Sequence, residues 1–288
     1  MQNKGYTLIT GSSEGLGKAF AIECAKRGMN LILVALPGPE LYALAALIKA
    51  NYPVEVVCIG KDLCRDESCM ELYAEVAALN LQVNMLINNA GIGSTILFEE
   101  GSPVLFEKQI RLNVLATTLI TRLFLPMLQR HARSYILNVG SLASFFYLPK
   151  KQVYGATKSF IYFFSKSLRE ELSNSNVQVS VLCPGGINTN PTLTLMNKTG
   201  NCISRLSVMN PEEVVPIAIN GLLSGKEVII PGRLNNFFML LDKMLPAFLK
   251  KLLTGSTMKK LDTNNQLSRY LAPSMVTLVV PSSKHNLN

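Results

Sequence analysis

Three residues in one stretch could together do proton-transfer chemistry: Ser141, Tyr154 and Lys158. Tyr154 and Lys158 are four apart, so on a helix they share a face. A phenol near its free pKa of about 10 is a poor proton donor or acceptor at neutral pH. A neighbouring ammonium favours phenolate and lowers that pKa. A hydroxyl at Ser141, just after an apolar strand, could bind the substrate oxygen. The set reads as a general acid/base beside an oxyanion-stabilising donor. A Tyr and a Lys four apart on a helix are also common and usually mean nothing. The chemical reading therefore rests on what stands upstream.

A strand over residues 6–10 runs straight into Thr10-Gly11-Ser12-Ser13-Glu14-Gly15-Leu16-Gly17, and a helical pattern follows over 18–27. Strand, glycine loop and helix together make a dinucleotide site credible. Glycines let the backbone approach a pyrophosphate, and the helix N-terminus supplies free N–H groups and a favourable dipole. Gly11, Ser13, Glu14, Gly15, Leu16 and Gly17 are the candidates for that contact. The second strand, 31–35, ends in Leu36-Pro37-Gly38. A carboxylate there would bind a ribose 2′-hydroxyl and an Arg would accept a 2′-phosphate; this chain offers neither. Lys18 and the positive charge favour NADP(H) over NAD(H).

Helical and strand patterns then alternate: a helix over 40–51, a strand over 54–59, a helix over 66–79 and a strand over 83–87. Asp62 and Leu63 follow the third strand. Asp62 could accept from an adenine amino group, or be a solvated loop carboxylate. Asn88-Asn89-Ala90-Gly91 ends the fourth strand. Its Asn side chains could tie strands together, while Asn89, Ala90 and Gly91 shape the floor of a cofactor site. A long helix is predicted over 102–130, with a kink at Pro126. Asn113 inside it is unfavourable by propensity. It could bend the helix around a water or sit on the exposed face. A strand over 134–139 leads to Ser141, and a helix over 151–174 carries Tyr154 and Lys158. A strand over 177–183 ends in Pro184-Gly185-Gly186-Ile187-Asn188-Thr189. Pro184, Gly185 and Ile187 could lie against a nicotinamide face, with Thr189 on its amide or phosphate.

The alternation and the continuous apolar strands predict a Rossmann-like, doubly wound parallel α/β sheet of about seven strands. Ligands on such a sheet lie across the carboxyl ends of the strands, and every motif above falls at one. A lid is expected over 190–208, a helix from Asn210-Pro211 to about 225 and a last strand over 227–230. Residues 1–260 read as one domain with an amphipathic segment, 236–260, and 261–288 as a tail.

The chain has 288 residues, 48% hydrophobic and 16% charged, enough for one large core. Six cysteines without CxxC pairs and only two histidines argue against a metal site and for a reducing compartment. No nucleic-acid motif accompanies the net charge of +9. No uninterrupted apolar run reaches the roughly 20 residues of a membrane span. The start, Met-Gln-Asn-Lys-Gly, reads as no signal peptide, so the expected location is cytoplasmic. The apolar-basic segment Phe237–Leu253 could dock on the cytosolic side of a membrane, cover a substrate pocket or seal a dimer seam.

The motifs Thr10-Gly11-xxx-Gly15-x-Gly17, Asn88-Asn89-Ala90-Gly91, Asn113, Ser141, Tyr154-xxx-Lys158 and Pro184-Gly185 resemble those of the short-chain dehydrogenase/reductase family, over about residues 5–232. The stretch 230–235 and the segment after it are similar to a lipid- and ketone-directed branch. The resemblance implies an NAD(P)-dependent oxidoreductase that interconverts hydroxyl and carbonyl groups, with Asn113, Ser141, Tyr154 and Lys158 as its catalytic set. It implies that Tyr154 moves the proton, and that Lys158 lowers the Tyr154 pKa and holds the nicotinamide ribose. Ser141 would position the substrate oxygen, and Asn113 would anchor a relay water. It also implies a homodimer or homotetramer. Leu36 departs from the branch, whose NADP users carry Arg there. The mostly apolar stretches 144–148 and 191–196 point to an apolar alcohol or ketone. The alternative is a non-catalytic nucleotide-binding protein with a regulatory or assembly role.

Overall fold

Seven short runs of aliphatic and β-branched residues form the centre of the protein. In the computed structural model they are β1 Tyr6–Thr10, β2 Asn30–Ala35, β3 Val56–Gly60, β4 Val83–Asn88, β5 Ser134–Val139, β6 Val177–Leu182 and β7 Val228–Ile229. They make one sheet in the order β3-β2-β1-β4-β5-β6-β7, with every neighbouring pair parallel. The structure describes residues 5–188, 208–232 and 235, all within the unit Met1–Lys243. Thr189, most of the expected lid, the segment Phe237–Leu253 and the expected tail lie outside the described residues.

Parallel strands must be covered on both faces, which is why they carry almost no polar alternation. Helices α1 Gly15–Lys26 and α2 Pro39–Asn51 cover one face together with α7 Pro211–Leu223. The other face is covered by α3 Ser68–Ala78 and by a long helix, α4 Pro103–Ile110 continuing into α5 Thr117–Leu128. Helix α6, Gln152–Glu171, packs on β6. Phe20 and Phe124, one from each side, are wholly buried. Burying such a side chain contributes about 1.5–3 kcal/mol.

The run Pro103–Leu128 is apolar and long enough to cross a membrane. In the fold its apolar residues Ile120, Phe124, Met127 and Leu128 join the core beside β4 and β5. Helix α5 continues past Pro126 to Leu128. The departure from regular helix is instead at Arg111–Ala116, which is π-helical and contains Asn113. Widened turns of this kind frequently sit at functional sites. The start of α7 matches its sequence signal. Asn210 caps it, Pro211 follows, and the Glu213 carboxylate accepts the Asn210 N–H at 2.8 Å.

Candidate active site

The glycine loop is held by its neighbours. The Thr10 hydroxyl accepts the backbone N–H groups of Asn89 and Ala90, both at 3.0 Å. The Asn89 amide donates back to the Thr10 and Gly11 carbonyls at 2.9 and 3.1 Å. This lacing locks β1's end to β4's end. Gly17 sits so close beneath the loop that an added Cβ would lie 2.0 Å from the Gly11 carbonyl oxygen. Glu14, the residue before α1, makes no side-chain cap, and no acid stands in the first turn. The helix's leading N–H groups are thus left for an anion.

A cavity of about 320 Å³ joins this loop to the ends of β2, β3 and β4. Of the expected cofactor contacts, Gly11, Ser13, Glu14, Gly15, Leu16, Asp62, Leu63, Asn89, Ala90 and Gly91 all line it. Asp62 is also a turn residue, its carboxylate accepting the Cys64 N–H at 3.0 Å. Leu36 lines the same cavity and is 59% exposed. Lys61 lines it too, its ammonium 3.1 and 3.5 Å from Glu71 and Glu75. Pro184, Gly185 and Ile187 lie off this cavity, at the end of β6. There the Pro184 carbonyl accepts the Leu142 N–H at 2.8 Å, and Ile187 bridges to Met209. The residues present fit a dinucleotide: a loop that only glycines can form, an uncapped helix start and a cleft along the ends of β1, β2, β3 and β4.

Ser141 and Tyr154 meet because the turn after β5 is stitched to α6. The Ser144 hydroxyl donates to the Lys158 carbonyl at 2.8 Å, and the Ser159 hydroxyl to the Ser144 carbonyl at 2.9 Å. This sets the Ser141 hydroxyl near enough to the Tyr154 phenol to lower its pKa. The Lys158 ammonium, 5.9 Å from the centre of the Tyr154 ring, donates to the Val139 carbonyl at 2.7 Å. Gly91 lies between them and Asn113: a Cβ there would stand 3.1 Å from the Asn113 Oδ1 and 3.4 Å from the Lys158 Nζ. The four catalytic candidates and the floor residue are therefore gathered in one place.

Two expectations change. Asn113 is buried, not on an exposed face. Its side chain pairs with both backbone groups of Ile92, at 2.9 Å each, and donates to the Thr157 hydroxyl at 3.0 Å. It therefore clamps the loop after Gly91 to α6. The Tyr154 pKa is raised, whereas Lys158 was expected to lower it. Burial is the larger effect, only partly offset by the Ser141 hydrogen bond, with the Cys183 thiol raising it further. Lys158 is itself buried, and burial lowers its pKa to about 8. Its ammonium is directed at the Val139 carbonyl.

The sequence reading missed two residues of this site. Thr157 accepts from Asn113 and donates to the Tyr154 carbonyl at 2.8 Å. Gly93 faces the Tyr154 ring so closely that a Cβ would stand 3.3 Å from two of its carbons. Their signals were weak: one Thr three residues after Tyr154, and a second Gly two beyond Gly91.

The fold and site thus define a parallel α/β protein with a glycine-loop cleft that fits a dinucleotide and a Ser–Tyr–Lys constellation at its strand ends. The chain belongs to the short chain dehydrogenase family, whose sequence model matches residues 6–199. It is 31% identical to the very-long-chain 3-oxoacyl-CoA reductase of Bos taurus over 183 residues, 62% of this chain and 58% of that protein. It is 30% identical to 17-beta-hydroxysteroid dehydrogenase type 3 of Homo sapiens, over 64% of this chain and 59% of that protein. The matches span less than two thirds of those relatives' length. Among solved structures, one from work on 7beta-hydroxysteroid dehydrogenase stereoselectivity superposes with a TM-score of 0.78 at 25% identity, covering 87% of this chain and 96% of the other. A short-chain dehydrogenase from Sphingobium yanoikuyae in complex with NADPH gives 0.71 at 26% identity, covering 96% and 98%.

Proposed function

We propose that this protein is an NAD(P)-dependent oxidoreductase that interconverts a hydroxyl and a carbonyl on a lipid-like substrate. The observation that carries the reading is the meeting of Ser141 with Tyr154 beside Lys158, at the strand ends where the glycine loop also opens. A bound nicotinamide would supply or accept the hydride. Gly11, Ser13, Gly15, Leu16 and the 89–91 backbone would hold the dinucleotide, with Asp62 at its adenine end. Ser141 orients the substrate oxygen. Tyr154 gives or takes the proton at that oxygen. Burial raises its pKa, so the phenol stands protonated at neutral pH as a weak acid, and the Ser141 hydroxyl acts against that rise in the direction that eases proton transfer.

NADP(H) is the cofactor we favour. The end of β2 carries no carboxylate to repel a 2′-phosphate, and Lys61 lines the cavity beside Leu36. The chain's net charge of +9 works in the same direction. We further propose self-association through apolar side chains exposed on two helices. Val104, Ile110 and Leu115 on the long helix, and Phe160 and Phe163 on α6, are all exposed. Sedimentation velocity reads that directly.

Purified protein tested with NADPH and NADH against a panel of apolar ketones decides the main proposal. Turnover is expected, and Tyr154→Phe should lower kcat by about 10²–10⁴-fold with cofactor affinity unchanged. Absence of turnover across the panel would sink it, as would a Tyr154→Phe protein as active as the parent.

A further inference from the structure

Lys151 is the residue just before α6, three ahead of Tyr154, and its ammonium and that of Lys158 both reach the Tyr154 ring, at 5.5 and 5.9 Å from its centre. The two amines have different surroundings. The Lys158 ammonium is taken up by the Val139 carbonyl. The Lys151 ammonium lies 5.5 Å from the centre of the Tyr154 ring and makes no ion pair or hydrogen bond with the described residues. It is half-buried, and burial is the cause that lowers its pKa. Two other partly covered lysines are matched by acids, Lys61 by Glu71 and Glu75 and Lys166 by Glu227, whereas Lys151 has no acid beside it among the described residues. A partly desolvated cation held against an aromatic face has no counter-charge there, and an arriving anion supplies one.

The backbone holds that amine in place. Lys150 adopts a left-handed conformation, φ 65°, rare for a residue other than glycine, and its side chain is buried. Its carbonyl accepts the Ile96 N–H at 2.8 Å. This ties the start of α6 to the loop whose Gly93 touches the Tyr154 ring. Strain of this kind persists where surrounding structure over-determines it, and it clusters at ligand clamps.

We propose that Lys151 reads an anionic oxygen group on the substrate, so that the molecule this site takes has an apolar body and, a few bonds from its carbonyl, a carboxylate or phosphate. The inference rests on the function proposed above and narrows its substrate class. The ammonium lies along the ring that serves the reacting oxygen, so the anion and the carbonyl must be close together in the ligand. A net charge of +9 draws such a molecule in.

The test uses the full chain with NADPH, under which none of the ligands can be oxidised, and calorimetric titration of decanoate, decyl phosphate and, as neutral control, decanol. At least one anion is expected to bind about tenfold more tightly than decanol, the size of one charge-assisted hydrogen bond after desolvation. Which anion does so distinguishes carboxylate from phosphate. The preference should fall below about threefold in Lys151→Gln and persist in Lys151→Arg, because a charge and not a particular shape is being read. In turnover, 4-oxodecanoate should exceed its methyl ester in kcat/KM, and Lys151→Gln should remove the difference through KM with kcat held. Equal binding of anions and alcohol by the parent protein overturns the inference, and so does a preference that survives Lys151→Gln. If anions bind as described but no ketone turns over, the catalytic reading fails and the assignment of Lys151 stands. If the methyl ester turns over and anions show no advantage, the reverse holds.

Discussion

Replacing Lys158 by Met should stabilise the cofactor-free protein at pH 7 while removing its turnover. The Lys158 amine titrates near 8 in the fold, against 10.5 when unperturbed. That gap corresponds to about 3 kcal/mol of penalty for holding the charge in a buried place. Met removes the penalty but leaves the buried Val139 carbonyl without its donor, which costs about 1–3 kcal/mol. The net at pH 7 is a gain of about 1 kcal/mol, or about 2–4 °C in Tm for a chain of this size. The pH dependence is the sharper measurement. Between about 8 and 10.5 the unfolded chain still binds this proton and the folded chain does not, so wild-type stability rises with pH across that window. Below 8 both states are protonated and the penalty is fully present. The variant lacks this rise. Relative to wild type it should therefore lose up to about 3 kcal/mol between pH 7 and pH 10.5, and the cost of the orphaned carbonyl cancels in that comparison. Urea denaturation of both proteins at the two pH values measures it. Parallel stability curves would refute the claim that this amine is held at a depressed pKa.

Three further outcomes are expected. Gly17→Ala places a Cβ 2.0 Å from the Gly11 carbonyl oxygen, so cofactor affinity should fall at least tenfold in a titration of intrinsic fluorescence or heat, with the rest of the fold retained. Asn138→Leu breaks a buried chain in which Asn88 donates to Asn138 at 2.8 Å and Asn138 to Ser165 at 2.9 Å. A loss of about 1–3 kcal/mol is expected by urea denaturation. Leu36→Arg, at the exposed end of β2 beside Lys61, should shift the ratio of NADP to NAD affinity about tenfold or more towards NADP, as read by thermal shift with each cofactor.

What one stretch of sequence could show was its own periodicity and punctuation. Apolar runs fixed the strands to within two residues at most ends, as in β1 and β5, because a parallel strand buried on both faces has no polar alternation to confuse the reading. The glycine loop, the Asn210-Pro211 helix start and the Tyr154–Lys158 pair were legible for the same local reason. The surroundings of a side chain are set by distant elements, and these decided the rest. Asn113 could not be recognised as a clamp on Ile92 from its own helix, since its partners lie 21 and 44 residues away. Nor could the raised Tyr154 pKa be read from the spacing to Lys158. Spacing puts an amine nearby, but the packing of Val139, Cys183 and the turn after β5 determines where the amine points and how dry the phenol is. Local sequence wrote the elements and chose the chemical groups. Tertiary packing set their pKa values and partners, because desolvation and hydrogen bonding depend on everything within a few ångströms, whichever part of the chain supplies it.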